Sequence, residues 1–306
     1  MGITANCSKF LFYSKDLGVN FKRSLTLGRL NLFASKKDIS DQVNFFNNSS
    51  KSIKEVIFKD AYAEPLFEIL GAEKTDSLDY SNYEKATIIH DLNFPVDDFL
   101  KDRFTAIVDG GTIEHVFNFP VAIKNCMEML EEGGHYIGIT PANNTMGHGF
   151  YQFSPELYYR VFSEENGFET LKIVLCAEKE KDVFSDWYEV VDPQKAQRRV
   201  LFTNDSPSYL MVIARKTKKK KIFEHTPQQS DYEVLWEKNR SIQRNQPAPN
   251  ESKLVFLYRK FMPKAVKAIV YNMKNRLIHR KINKQGLGII DPHQFKKIEL
   301  KPGATL

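Results

Sequence analysis

Apolar and polar positions alternate most clearly between residues 104 and 155. Phe104-Thr105-Ala106-Ile107-Val108 is a short apolar run that ends at Asp109, the pattern of a strand buried on both faces. Gly110-Gly111 and then Glu114-His115 follow. Phe119, Ala122, Ile123, Cys126, Met129 and Leu130 recur at steps of three and four, which predicts a helix with one apolar face. Asn118 is placed to cap that helix, Pro120 sits in its first turn, and Gly133-Gly134 is expected to end it. Tyr136 to Ile139 reads as a second strand running into Thr140-Pro141. The result is a strand–helix–strand unit with polar residues gathered where each strand ends. In open parallel sheets, ligands bind at those carboxyl ends.

The same periods organise the flanking chain. Phe10, Leu11, Tyr13 and Leu17 share a face of a predicted helix over residues 1–20, which either packs on the domain or covers the site as a lid. Ser24 to Leu27 is expected to be the first strand, with Gly28 at its turn. Residues 33–57 are polar and read as an insertion holding a short helix near Ile39 to Phe46. A helix from about Lys59 to Leu70 is closed by Gly71. Asp76 to Asp79 and Ala86 to His90 are the next two strands. Ser154-Pro155 opens a further helix, Phe168 to Cys176 forms the sixth strand, and Tyr209 to Ala214 forms the seventh. Val183 to Asn204 between them is charged and irregular. This divides the chain into a domain over 1–216, closed by the basic run Lys216 to Lys221, a polar linker over 217–250, and a tail over 251–306. In the tail, Leu257, Phe261, Ala265, Ile269 and Met273 fall on one side of a basic amphipathic helix suited to anionic lipid, to the core or to a partner chain.

Charge sharpens that division. The 306 residues carry a net +6, yet the last 56 hold 13 Lys and Arg against 3 acidic residues, a net +10 that leaves the first 250 at −4. A mildly acidic domain argues against a nucleic-acid surface there and gives any electrostatic role to the tail. Three cysteines, Cys7, Cys126 and Cys176, lack metal-ligand spacing and suit a reducing cytoplasm. The opening residues have no apolar signal core, and no run is long enough to span a bilayer.

The unit 104–155 resembles class I S-adenosylmethionine-dependent methyltransferases. It is closest to a subgroup with Glu-His-Val after the fourth strand, here Glu114-His115-Val116, and a Gly-Gly turn before the fifth, here Gly133-Gly134. At a coarser level the likeness extends over residues 20–216. It implies an α/β, Rossmann-like seven-stranded sheet with helices on both faces, the last strand inserted antiparallel between the fifth and sixth. It also implies S-adenosyl-L-methionine as cofactor, with Gly28 and Arg29 at the first turn, Asp79 on the ribose, Asp91 near the adenine, and Asp109 and Gly110 beside the donor. The family's turn is glycine-rich, and here Thr26, Leu30 and Leu32 stand where it has an acidic residue and two glycines. His148, His115 and Glu114 are the catalytic candidates. A metal-using subset has Glu-x-x-Glu-His and a later His. Gly111 replaces its first Glu, so a divalent metal would have to rest on Glu114, His115 and His148. The chain is also similar to bacterial methyltransferase-like proteins that accompany surface-polysaccharide genes. That similarity implies O-methylation of a glycan or glycan precursor by a cytoplasmic protein, membrane-peripheral if the tail binds lipid. Two alternatives stay open: a catalytically inactive fold kept for binding or scaffolding, and a nucleic-acid methyltransferase that uses the tail as a phosphate clamp.

Overall fold

The computed structural model describes residues 2–180, 183–184, 186–196, 199–232 and 291–303, with isolated positions between 262 and 273. Its strands are β1 (Gly2–Ile3), β2 (Arg23–Leu27), β3 (Asn31–Leu32), β4 (Lys74–Asp79), β5 (Ile88–Ile89), β6 (Phe104–Asp109), β7 (Leu130–Asn143), β8 (Phe168–Glu180), β9 (Val183–Phe184), β10 (Tyr188–Val190), β11 (Ser208–Lys216) and β12 (Phe295–Lys297). The main sheet runs β12-β10-β8-β11-β7-β6-β2-β4-β5, with β9 paired to β8. From β5 to β7 neighbours are parallel, and β11 is antiparallel to both β7 and β8. The seven central strands therefore stand in the order the sequence resemblance implies, with the last one wedged between the fifth and sixth.

Strand alternation assigns the two faces. Ile107, Tyr136, Leu210 and Val212 enter one core with the helix α4 (Phe119–Met129) and α5 (Pro155–Val161). Ala106, Val108, Ile137, Met211 and Ile213 enter the other, with α1 (Ala5–Asp16), α2 (Lys36–Phe46) and α3 (Glu64–Leu70). A period of two on strands buried on both sides produces this split. Trp187, inside the irregular stretch before β11, is buried edge-on against Phe10 and Tyr13, so it packs α1 onto the sheet.

Three expectations are corrected. Gly133-Gly134 does not end α4, which stops at Met129 and passes straight into β7. A Cβ on Gly134 would lie 2.9 Å from the Glu131 carbonyl oxygen and 3.0 Å from that of Phe104. The glycines therefore serve the irregular pairing of β6 with β7, not a helix cap. Asn31–Leu32 pair in parallel with Gly2–Ile3 beyond the turn at Gly28. The domain does not end at 216: Ile222 is buried in the core, and Ser230 donates to Glu156 at 3.0 Å. Nor is the whole tail separate. Lys296 and its neighbours add β12 antiparallel to β10, Phe295 is buried, and the Gly303 amide donates to the Phe45 carbonyl at 2.9 Å. Most of the expected amphipathic helix over 254–281 lies outside the described residues. No helix among the described residues is long and apolar enough to cross a membrane.

Candidate functional site

Two hollows open where the parallel strands end, on either side of the turn after β6. The first, about 240 Å³, is walled by Gly110, Gly111, Glu114, His148, Tyr209 and the N-terminal residues from Gly2 to Cys7. The second, about 280 Å³, is walled by Gly28, Asp79, His90, Asp91, Thr112 and His115. The N-terminal helix packs on the domain, as one of the two readings has it, and Gly2, Thr4, Asn6 and Cys7 line one side of the first hollow.

Asp109 holds the turn between the hollows. Its Oδ1 accepts from the Thr112 amide at 2.8 Å and its Oδ2 from the Tyr136 hydroxyl at 3.0 Å, while the Thr112 hydroxyl donates to the Leu27 carbonyl at 2.7 Å. The carboxyl is wholly buried, and burial pushes its pKa up to about 6 against those hydrogen bonds. It lines neither hollow. The expected contact of Asp109 with the donor gives way to a structural role, because both of its oxygens are used inside the protein.

Glu114 follows on that turn with its side chain 1% exposed. Its carbonyl accepts from the Phe150 amide at 2.8 Å and from that of Tyr151 at 3.3 Å, which draws the loop after β7 over it. Gly149 makes this approach feasible. It has φ +72°, and a Cβ there would stand 2.8 Å from the same carbonyl oxygen. The loop is also closed on itself by Gln152, whose Oε1 accepts from the Thr145 amide at 3.0 Å and its hydroxyl at 2.9 Å. His148 thereby reaches Glu114, its Nε2 3.3 Å from Oε1, and His115 Nε2 lies 4.0 Å from the same oxygen. The two imidazole centroids are 4.9 Å apart. Residues 33 positions apart in the chain thus converge.

The Glu114 carboxyl is electrostatically exposed to little that helps it. Both oxygens are buried without a hydrogen-bond partner. Burial first, and the neighbouring Asp109 second, raise its pKa from the ordinary 4.5 to about 8. Burial, and then His148, lower that of His115. The ligating atoms of Glu114, His115 and His148 all lie within 4.8 Å of one another, so these three can hold a cation.

The remaining expected residues divide. Gly28 has φ +73° and lines the second hollow, as do Asp79 and Asp91. One oxygen of Asp79 accepts from the Ser81 amide at 3.1 Å, and one of Asp91 from the Asn93 amide at 2.9 Å, so each carboxylate keeps a second oxygen for a ligand. Gly110 lines the first hollow, where a Cβ would stand 3.0 Å from Leu30 Cδ1. Arg29 turns away. Its Nε meets Glu64 at 2.7 Å, its Nη2 meets Asp60 at 3.4 Å, and its guanidinium lies 3.8 Å from the Tyr62 ring centre. Two nearby carboxylates and a ring outcompete the expected cofactor contact. Sequence reasoning missed Tyr136, Tyr209 and Glu178 as parts of the site. They reach it from distant strands, and nothing local to them marks it.

Neither a protein-family model nor a curated protein matches the chain. Solved structures do resemble it, at low identity. A Bacillus halodurans protein with a provisional methyltransferase name is 10% identical, with TM-score 0.38, covering 67% of this chain and 98% of its own. The YcgJ protein of Bacillus subtilis is 6% identical, with TM-score 0.37, covering 69% and 99%. The 1,6-didemethyltoxoflavin-N1-methyltransferase of Burkholderia thailandensis is 11% identical, with TM-score 0.38, covering 70% and 78%. The fold is methyltransferase-like. The strand order and the inserted antiparallel β11 carry that statement, and the numerical likenesses add nothing finer.

Proposed function

We propose that this protein transfers a methyl group from S-adenosylmethionine to an oxygen atom, with a glycan or glycan precursor as the acceptor. The observation that carries the reading is the convergence of Glu114, His115 and His148 beside a hollow that presents the carboxylates of Asp79 and Asp91. Those carboxylates fit the nucleoside end of the donor, since a carboxylate pair can accept from ribose hydroxyls and an adenine amino group. When bound, the donor supplies an activated methyl at a sulfonium. The chain's own work is to align the acceptor and take its proton. His148, which lines the first hollow with its Nε2 3.3 Å from Glu114 Oε1, is the group suited to take that proton. Phe117 and Phe150 stand exposed beside the two histidines with ring centroids 5.7 Å apart, and aromatic faces of this kind suit the apolar face of a sugar.

Calorimetric titration with S-adenosylmethionine is expected to show saturable binding, weakened about tenfold in Asp79→Asn by loss of a charged acceptor. Absence of binding at millimolar ligand in a folded sample would leave only a scaffolding use of the fold.

A cation-assisted variant of the reaction is favoured by one observation, the buried Glu114 oxygens that lack partners. Glu114, His115 and His148 would hold the ion, which would lower the pKa of an acceptor hydroxyl. Manganese chloride is then expected to raise the melting temperature of the wild type and to leave Glu114→Gln unmoved. An equal shift in both proteins removes this variant.

A further inference from the structure

We propose that the chain holds its donor by the nucleoside end and leaves the amino-acid end unheld, with Leu30 setting this specificity. The inference rests on the methyl-transfer reading. Its consequence is that 5′-methylthioadenosine binds about as well as S-adenosylhomocysteine.

The second hollow is acidic. Asp79 and Asp91 both line it, and among the described residues its only basic side chains are the imidazoles of His90 and His115. An α-carboxylate brought there meets two like charges and no lysine or arginine side chain among the described lining residues, whereas hydroxyl and amino donors meet free carboxylate oxygens. The nearest lysine or arginine in sequence is Arg29, and Glu64 and Asp60 already neutralise it. A ligand held by its amino-acid end would also need open backbone N–H groups in the turn after β2. Here two amides of that segment, one at each end, are committed elsewhere. The Gly28 amide donates to the Leu78 carbonyl at 2.7 Å, the Leu32 amide to that of Ala61 at 2.6 Å, and β3 pairs with β1. Leu30 is 2% exposed and packs in the core that also holds Ile3. Its Cδ1 would stand 3.0 Å from a Cβ on Gly110, so its methyl groups fill the space between the turn and the end of β6. A branched apolar side chain there excludes a charged group and offers it no partner.

The test is calorimetry of both ligands against the full chain. The expected dissociation constants differ by less than about fivefold. Asp79→Asn is expected to weaken both by a similar factor, because both share the ribose. Leu30→Gly opens the space and is expected to favour S-adenosylhomocysteine selectively; if that variant does not fold, the wild-type ratio decides alone. A wild-type preference for S-adenosylhomocysteine beyond fivefold overturns the inference and upholds the donor site. Failure of both ligands to bind overturns the inference and the methyl-transfer reading together.

Discussion

Glu114→Gln is expected to abolish most of the loss of stability that the metal-free wild type suffers as pH rises from 5 to 8. In the folded chain the Glu114 carboxyl keeps its proton up to about pH 8, because burial and the nearby Asp109 disfavour the anion. The unfolded chain releases that proton near the ordinary 4.5. Between those values the folded state binds more protons than the unfolded state, so stability falls with rising pH. Asp109, pushed by burial from 3.8 to about 6, adds to the fall at the lower end of the window. Each pKa unit is about 1.4 kcal/mol, so the total is on the order of several kcal/mol. Glutamine keeps the shape and cannot ionise, which leaves only the smaller Asp109 contribution. Urea midpoints at pH 5 and pH 8 in the presence of a chelator measure this. A wild-type midpoint that is equal or higher at pH 8 contradicts it, as does an undiminished slope in Glu114→Gln.

Lys216→Ala is expected to cost about 1–3 kcal/mol, the scale for leaving a buried acceptor without its donor. The Lys216 side chain is 3% exposed, and its Nζ lies 2.9 Å from Asp102 Oδ1, 2.6 Å from the Leu130 carbonyl and 3.1 Å from that of Met127. It ties the end of β11 to the junction of α4 and β7, so its loss takes the Nζ donor from two backbone carbonyls, while Asp102 keeps Lys219. Lys221→Ala, by contrast, removes an exposed lysine 3.7 Å from Glu224 and should change stability by less than about 0.5 kcal/mol. Denaturant unfolding of the two variants compares them directly, and equal losses would mean that Lys216 is not the anchor its contacts indicate.

Lys216 also marks where the sequence stops being legible. In a run of five lysines and a threonine, no local signal separates the one buried residue from its solvated neighbours. Only the position of β11 between β7 and β8 does so. The central unit was far more readable. Val108 and its neighbours, the heptad-like spacing of Phe119 to Met129, and Tyr136 to Ile139 each had a period long enough to fix element type, and the strands and helix fall there. Glu114, His115 and His148 were recoverable because the polar residues after two adjacent parallel strands must emerge together. Leu30 illustrates the opposite case. Its place in the chain signalled a departure from a glycine-rich turn, but its packing on Gly110 depends on β1, which is 28 residues away in sequence at Gly2 and pairs only in the fold. Arg29 was misread for a similar reason, since Asp60 and Glu64 become its neighbours only when α3 docks.

The structure of the chain bound to S-adenosylhomocysteine is the most direct measurement. The account predicts the ribose against Asp79, the base toward Asp91, and the sulfur directed to the cluster of Glu114, His115 and His148. Ligand density away from the ends of β2, β4 and β6, with the hollow beside Asp79 left to solvent, would contradict it.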